Sequence, residues 1–272
     1  MFALKRFYKD GVPGYFALTL EGGVAALLGT GFGMWLFPEE TSIVCVFLCS
    51  ILTLDSSGRL LEWNRRAIFD LGYDPSHANV RLVMLILGMF AGTMVGFSSL
   101  TFWLPLETVQ TVFSHQLADY GSQTFPDLMF GSPSELFVGN LYVLLFFFLI
   151  AMAFRQGGLM LAVAWNASVW GATFGMLARR WAEDGGPPLL GAYARVMAAT
   201  IPHMTLEAIA FVLAGFAGVF LSKGLVKYAW TDAILRSIMG SVVRMLGAGI
   251  CLVLIGALWE GLVARWLVVL LS

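Results

Sequence analysis

The chain has 272 residues, of which 59% are hydrophobic and 12% charged. A soluble domain averages roughly 25% charged residues. The composition therefore excludes an ordinary water-soluble fold and predicts a polytopic integral membrane protein. The spans are expected to be helical, an all-α bundle, because each helix satisfies its own backbone in lipid. Net charge is −1, which provides no basic surface for nucleic acid.

At the start of the chain, Lys5, Arg6 and Lys9 lie beside Phe2, Phe7 and Tyr8. This suits a retained amphipathic segment at the headgroups rather than a cleaved signal. Residues 15–37 form the first apolar run, which contains Glu21 and ends at Pro38-Glu39-Glu40. Residues 41–54 are too short for a full span and read as a tilted partial span or half of a tight hairpin. From 55 to 79, Leu60, Leu61, Trp63, Ile68 and Leu71 alternate with charges at helical spacing. That predicts an amphipathic helix lying along the membrane surface.

A third span covers 82–104, and a polar stretch follows from 105 to 133. This stretch has Glu107, Asp119 and Asp127 and no Lys or Arg, so the positive-inside rule makes it an extracytoplasmic loop. Its Phe113, Tyr120, Phe125, Leu128 and Phe130 read as exposed apolar side chains suited either to docking or to folding onto the membrane surface. Residues 135–154 and 159–177 form two spans joined by Arg155-Gln156-Gly157-Gly158, a connection short enough for an antiparallel hairpin. Residues 179–198 are polar and include GGPPLLG, read as a chain break. A span at 199–221 precedes Lys223, Lys227 and Arg236, and the last runs from 238 to Trp259 or beyond. The seven apolar segments give six or seven full spans. Placing the N-terminus, Arg59 to Arg66, Arg155 and Lys223 to Arg236 in the cytoplasm obeys the charge rule. It leaves Arg179 and Arg180 outside unless GGPPLLG is re-entrant.

Polar residues inside these spans are Glu21, Asn140, Arg155, Asn166, His203, Glu207, Arg244 and Glu260. A charged side chain at a helix centre costs roughly 2.5–3.5 kcal/mol on insertion scales and persists only where something compensates. His203 and Glu207 are four residues apart and share a helical face, so the imidazole can donate to the carboxylate. Pro202 fits a first helical position, where its missing N–H has no partner to lose, and would place His203 about one turn from an interface. Asn140 and Asn166 need hydrogen bonds to another helix or to freed backbone. Gly171, Gly175, Gly215 and Gly218 lie in small-residue stretches where backbones can approach closely.

Two ligands on one helix turn are half a zinc site, and the other histidines, His77 and His115, fall in polar segments. Cys45, Cys49 and Cys251 lie in apolar runs without metal-ligand or disulfide spacing. The HExxH, GxSxG and Walker patterns are absent from the sequence. No catalytic residue, metal ligand or cofactor is assigned. Two alternatives stay open: a transporter or channel component using Glu207 and His203, with Glu21, Glu260 and Arg244 along a polar path, and an intramembrane metal-dependent enzyme.

Three blocks resemble a known family. The first runs from the span around Asn140 through Gly157-Gly158 to Trp165-Asn166-Ala167-Ser168-Val169-Trp170-Gly171. The second is Pro202-His203-Met204-Thr205-Leu206-Glu207, followed by Ala210 and Ala214-Gly215-Phe216-Ala217-Gly218. The third is Gly256-Ala257-Leu258-Trp259-Glu260-Gly261. In this order they are similar to the stage II sporulation protein M family. Ala167 and Met204 stand where that family usually has glycine, and Thr205 takes a hydrophobic position. The resemblance covers residues 135–260, about half the chain, and divides it into an N-terminal membrane region, 1–134, and a family-like membrane domain, 135–272. It implies a non-enzymatic scaffold, multi-pass in a bacterial or archaeal cell membrane. The partners it implies are other membrane or periplasmic proteins and a second copy of the chain. Asn140, Asn166, His203, Glu207 and Glu260 would be its intramembrane polar core, and Gly171, Pro202, Gly215 and Gly218 its helix-packing positions.

Overall fold

The computed structural model describes residues 12–118, 131–264, 266, 267 and 270. The basic segment at the N-terminus lies outside them, as do Asp119, Tyr120, Phe125, Asp127, Leu128 and Phe130. The fold is all-α, without strands among the described residues. In chain order the helices are α1 (Val12–Leu36), α2 (Thr41–Leu52), α3 (Leu54–Phe69), α4 (Pro75–Trp103) and α5 (Leu106–Val112). They continue with α6 (Pro133–Phe154), α7 (Gln156–Glu183), α8 (Leu189–Lys227) and α9 (Ala233–Trp259), which runs on into a π turn at Glu260–Ala264. Six helices are long and apolar enough to cross a membrane: α1, α4, α6, α7, α8 and α9 with its π turn. A seventh span is counted if α2 and α3, bent by 43° at their junction, are taken as one. The chain is a multi-pass membrane protein.

Two compact units divide these elements. Unit 1 holds residues 1–118 and 163–172; unit 2 holds 119–162 and 173–272. In unit 1, α1 packs extensively on α4. The approach is close because Gly92 lies on the Thr19 carbonyl, where a Cβ has no room. A Cβ on Gly96 would come within 2.8 Å of the Ala26 methyl. Thr30 and Thr93 donate to the carbonyls of Ala26 and Met89, both at 2.9 Å, so their hydroxyls are satisfied within their own helices. Cys45 and Cys49 of α2 face α1 at Gly29 and are buried.

The predicted surface helix ends at Phe69, short of residue 79. Asp74 and Pro75 start a new helix there, with the Asp74 carboxylate accepting the His77 N–H at 3.0 Å. Asn79 therefore belongs to α4, where it accepts from Asn64 Nδ2 at 2.8 Å. The stretch after α4 is also not an open loop throughout. Its described part folds into α5 and a turn, held because Ser42 Oγ donates to Gln116 Oε1 at 2.6 Å and Gln116 Nε2 donates to the Ser42 carbonyl at 2.8 Å. Phe113, expected to be exposed, is 0% exposed and sits edge-on to Phe97 with centroids 5.9 Å apart. Burial of Val109, Val112 and Leu117 on the same side draws it inward.

In unit 2, α8 packs extensively on both α6 and α9. Helix α6 begins with a capping box: Ser132 Oγ accepts the Glu135 N–H at 3.3 Å and Glu135 Oε2 accepts the Ser132 N–H at 2.9 Å. Helix α8 is 39 residues long and starts well before the expected residue 199. The break at GGPPLLG shrinks to residues 184–188, where Gly185 takes a φ of +89°. Pro188 precedes the first helical residue, and Ala192, Val196 and Ala199, all at 0% exposure, mark a helical face that packs inward. Arg179 and Arg180 sit at the end of α7 rather than in a loop, with Arg179 paired to Glu183 at 2.9 Å. Leu189, Leu190 and Gly191 form the first turn of α8.

Candidate functional site

The polar residues of unit 2 meet where α6, α8 and the end of α9 converge. Helix α6 carries Asn140 two turns after the capping box. From there its Nδ2 donates to Glu207 Oε1 on α8 at 2.6 Å. Glu207 is 5% exposed and Asn140 half-buried, so the acceptor end of this bond lies inside the helix packing. Gly256 of α9 makes room on the other side: a Cβ there would lie 3.4 Å from Glu207 Cγ and 3.7 Å from the His203 carbonyl oxygen.

One turn before Glu207 on α8, His203 is also 5% exposed. Its Nε2 faces Glu260 Oε2 at 3.9 Å, a charge-pair distance too long for a hydrogen bond. Glu260 opens the π turn that follows α9. A π turn adds a residue to the helical turn and is common at functional sites. Gly261, the next residue, lies against Pro133 at the start of α6, where a Cβ would be 2.7 Å from the proline Cγ.

The expected donation from His203 to Glu207 is not made. Among the described residues no bond joins them, although they share a face. Asn140 draws the Glu207 carboxylate toward α6, while His203 points to Glu260. Buried His203 Nδ1 and Trp259 Nε1 have no hydrogen-bond partner among the described residues. Two acids, an imidazole and an amide thus share one site. Such groups can fix helix register by bonding one another, or bind and pass a proton. Among the described residues no three His, Cys, Asp or Glu side chains group to hold a metal ion.

Pro202 is not a first-turn residue, since it lies inside α8. It removes the N–H that would bond the Ala198 carbonyl, a defect that membrane helices tolerate when neighbours help. With Asn140 level with Glu207 and a rise of about 1.5 Å per residue, His203 lies about one turn along α8 from the level of Pro133.

Asn166 belongs to the part of α7 in unit 1 and is 8% exposed. Gly171, in the same part, receives a 2.9 Å hydrogen bond from Ser98 Oγ to its carbonyl. A Cβ on Gly171 would lie 2.6 Å from the Met94 carbonyl oxygen. In unit 2, Gly215 abuts the Leu159 side chain, and Gly218 lies against the backbone of Phe148 and Met152. The sequence offers Gly256 and Trp259 only as members of the third resemblance block, and does not single out the Ser132–Glu135 box or buried Gln116. The Ser-Pro-Ser-Glu run at 132–135 carried the capping signal. Nothing local marks Gln116 as buried.

No family model, curated protein or solved structure matches the chain.

Proposed function

We propose that this chain is a non-enzymatic scaffold of a cytoplasmic membrane, a multi-pass subunit that anchors partner proteins and pairs with a second copy of itself. The carrying observation is the bond from Asn140 to Glu207 inside the α6–α8 packing. The intramembrane amide and acid are joined to each other, which fixes helix register. A rigid helical frame suits a protein whose partners dock on its surface. The resemblance to the stage II sporulation protein M family supports the same reading, because Asn140, His203, Glu207 and Glu260 come from all three of its blocks. The docking surfaces proposed are α3, whose Arg59, Glu62, Arg65 and Arg66 are solvent-facing ion-pair partners, and the stretch 105–133.

Crosslinking mass spectrometry of the tagged chain, after mild extraction from its own membrane, tests this. Stoichiometric partners linked to α3 or to residues 105–133 are expected. Recovery of the chain alone, or with copies of itself only, overturns the scaffold.

A second reading, transport of protons or ions, is favoured by one observation. His203 Nδ1 is buried without a hydrogen-bond partner among the described residues, while its Nε2 faces the Glu260 carboxylate at 3.9 Å. For this reading Glu207→Gln leaves assembly intact and abolishes flux into proteoliposomes; unchanged flux removes it.

A further inference from the structure

We propose that unit 2 carries a binding site for anionic phospholipid at the end where α6 and α8 finish and α9 begins, built around Arg244. Helices α6 and α8 run parallel: Asn140 meets Glu207, and further on Gly218 meets Phe148 and Met152. Helix α9 runs the other way, with Gly224 against Leu235 and Ile238 and Gly256 against Glu207. Arg155, Lys223, Lys227 and Arg236 therefore share one end of the unit and are exposed there. The acid among them is Asp232, and its carboxylate caps α9 by accepting the Ile234 N–H at 2.8 Å.

Arg244 lies eleven residues into α9, inside an apolar span, on an exposed face. Its guanidinium folds back toward the start of the helix. Nη2 donates to Ser241 Oγ at 3.0 Å, and Ser241 Oγ donates to the Ser237 carbonyl at 3.0 Å. Nη1 passes over Gly240, where a Cβ would be 3.7 Å away. The missing side chain at Gly240 leaves the guanidinium space to lie along the helix surface.

The depth of this group selects its ligand. Gly249 packs against Leu144 of α6, and Ser241 is eight residues earlier on α9, about 12 Å along the axis. That level falls near residue 152, in the last turn of α6. Helix α6 has 22 residues, about 33 Å, which matches a hydrocarbon core of about 30 Å. The Arg244 fork therefore reaches the plane where acyl chains end and phosphates begin. Met239 and Val243 beside it are 41% and 70% exposed and offer apolar contact to an acyl chain. Trp230, 74% exposed at the same end, suits the interface. A guanidinium binds phosphate through two parallel N–H bonds. The surrounding cations favour a headgroup with net negative charge over a zwitterionic one. The apolar flanks point to a lipid rather than a free phosphate.

The test is native mass spectrometry of the full-length chain in detergent, titrated with dioleoyl phosphatidylglycerol or with dioleoyl phosphatidylcholine. Phosphatidylglycerol is expected to be retained at least about fivefold better, and Arg244→Gln to lower its retention about fivefold, with Arg244→Lys keeping most of it. Arg236→Gln gives a smaller loss in the same direction, and Arg59→Gln in unit 1 leaves binding unchanged. Thermal unfolding confirms that each variant is folded. Equal retention of the two lipids, or unchanged retention by a folded Arg244→Gln variant, overturns the proposal. Equal binding of glycerol 3-phosphate overturns the lipid assignment.

Discussion

At the scale of single residues, the pairing of Asn140 with Glu207 separates two effects that one substitution would blur. Glu207→Gln keeps a carbonyl oxygen to accept from Asn140 Nδ2 at the same place, so thermal unfolding in micelles is expected to stay the same or move up. Glu207→Leu leaves the Asn140 amide buried without its acceptor and should lose about 1–2 kcal/mol. Equal losses for the two variants would show that charge, not the hydrogen bond, joins α6 to α8. The glycines provide a second contrast. A Cβ on Gly218 meets the Phe148 carbonyl and the Met152 amide, which are backbone and cannot rotate aside. Gly218→Ala is expected to cost about 1–3 kcal/mol as the helices move apart. Gly247 has nothing within 4 Å, so Gly247→Ala should be neutral or slightly stabilising through helix propensity. Similar effects at both positions in a detergent unfolding series would contradict the packing described.

At the scale of elements, helix starts are set by local chemistry that can be titrated. The backbone N–H of His77, then its imidazole, hold the Asp74 carboxyl below its usual range. A carboxylate with a depressed folded pKa supports the fold above its unfolded pKa, about 3.9, and loses that support as pH falls through the lower folded value. The first turn of α4 should therefore exchange amide hydrogens faster, after correction for intrinsic rates, when pH drops from about 5 to about 2. Asp74→Asn keeps a cap oxygen and should remove the pH dependence. A first turn whose corrected exchange is the same at both pH values would show that Pro75 and packing start the helix without the carboxylate.

On the element scale, the legible parts of the chain were those with one dominant signal. The span of α6 was read to within a few residues because Pro133 and Glu135 precede a long apolar run and Arg155 ends it. Arg155 leaves the helix at a φ of +54°. The start of α8 was misread because LLGAYARVMAAT is only moderately apolar and Pro202 looks like a first-turn proline. Its Ala192, Val196 and Ala199 become apolar contacts only once the helix packs. The same reasoning covers Phe113, which is followed by polar Ser114, His115 and Gln116 and whose contact, Phe97, is distant along the chain.

On the scale of the whole molecule, burial sorts the spans by environment. Only 17% of the most apolar window is buried in α6 and in α9, against 78% in α7. Exposed side chains on α6 such as Tyr142, Phe146 and Leu149, at 71%, 57% and 54%, are therefore the surfaces offered to lipid or to another membrane protein. Cysteine chemistry reports the same sorting. Cys45 and Cys49 are buried and Cys251 is exposed. Cys251 faces the detergent tails around α9, where little thiolate forms, so a membrane-permeant maleimide should add to it slowly in native micelles and to Cys45 and Cys49 only after unfolding, as read by intact mass and peptide mapping. Modification of Cys45 in the native protein would contradict the packing of α2 on α1.

The amino-acid sequence by itself determined the class of this protein. Long apolar runs with few charges are stable only in a bilayer, and there the backbone must close its hydrogen bonds as helices. It also marked which polar residues needed an explanation, because each one in a span carries an unfavourable transfer term. What it could not determine was their pairing. Spacing on one helix joined His203 to Glu207, whereas the tertiary structure gives Glu207 to Asn140, 67 residues away, and turns His203 toward Glu260. A helical face states only which residues look the same way. The identity of the neighbour depends on the rotation, depth and direction of the other helices, and a small-residue stretch such as the one holding Gly218 marks that a close approach occurs without saying which helix makes it.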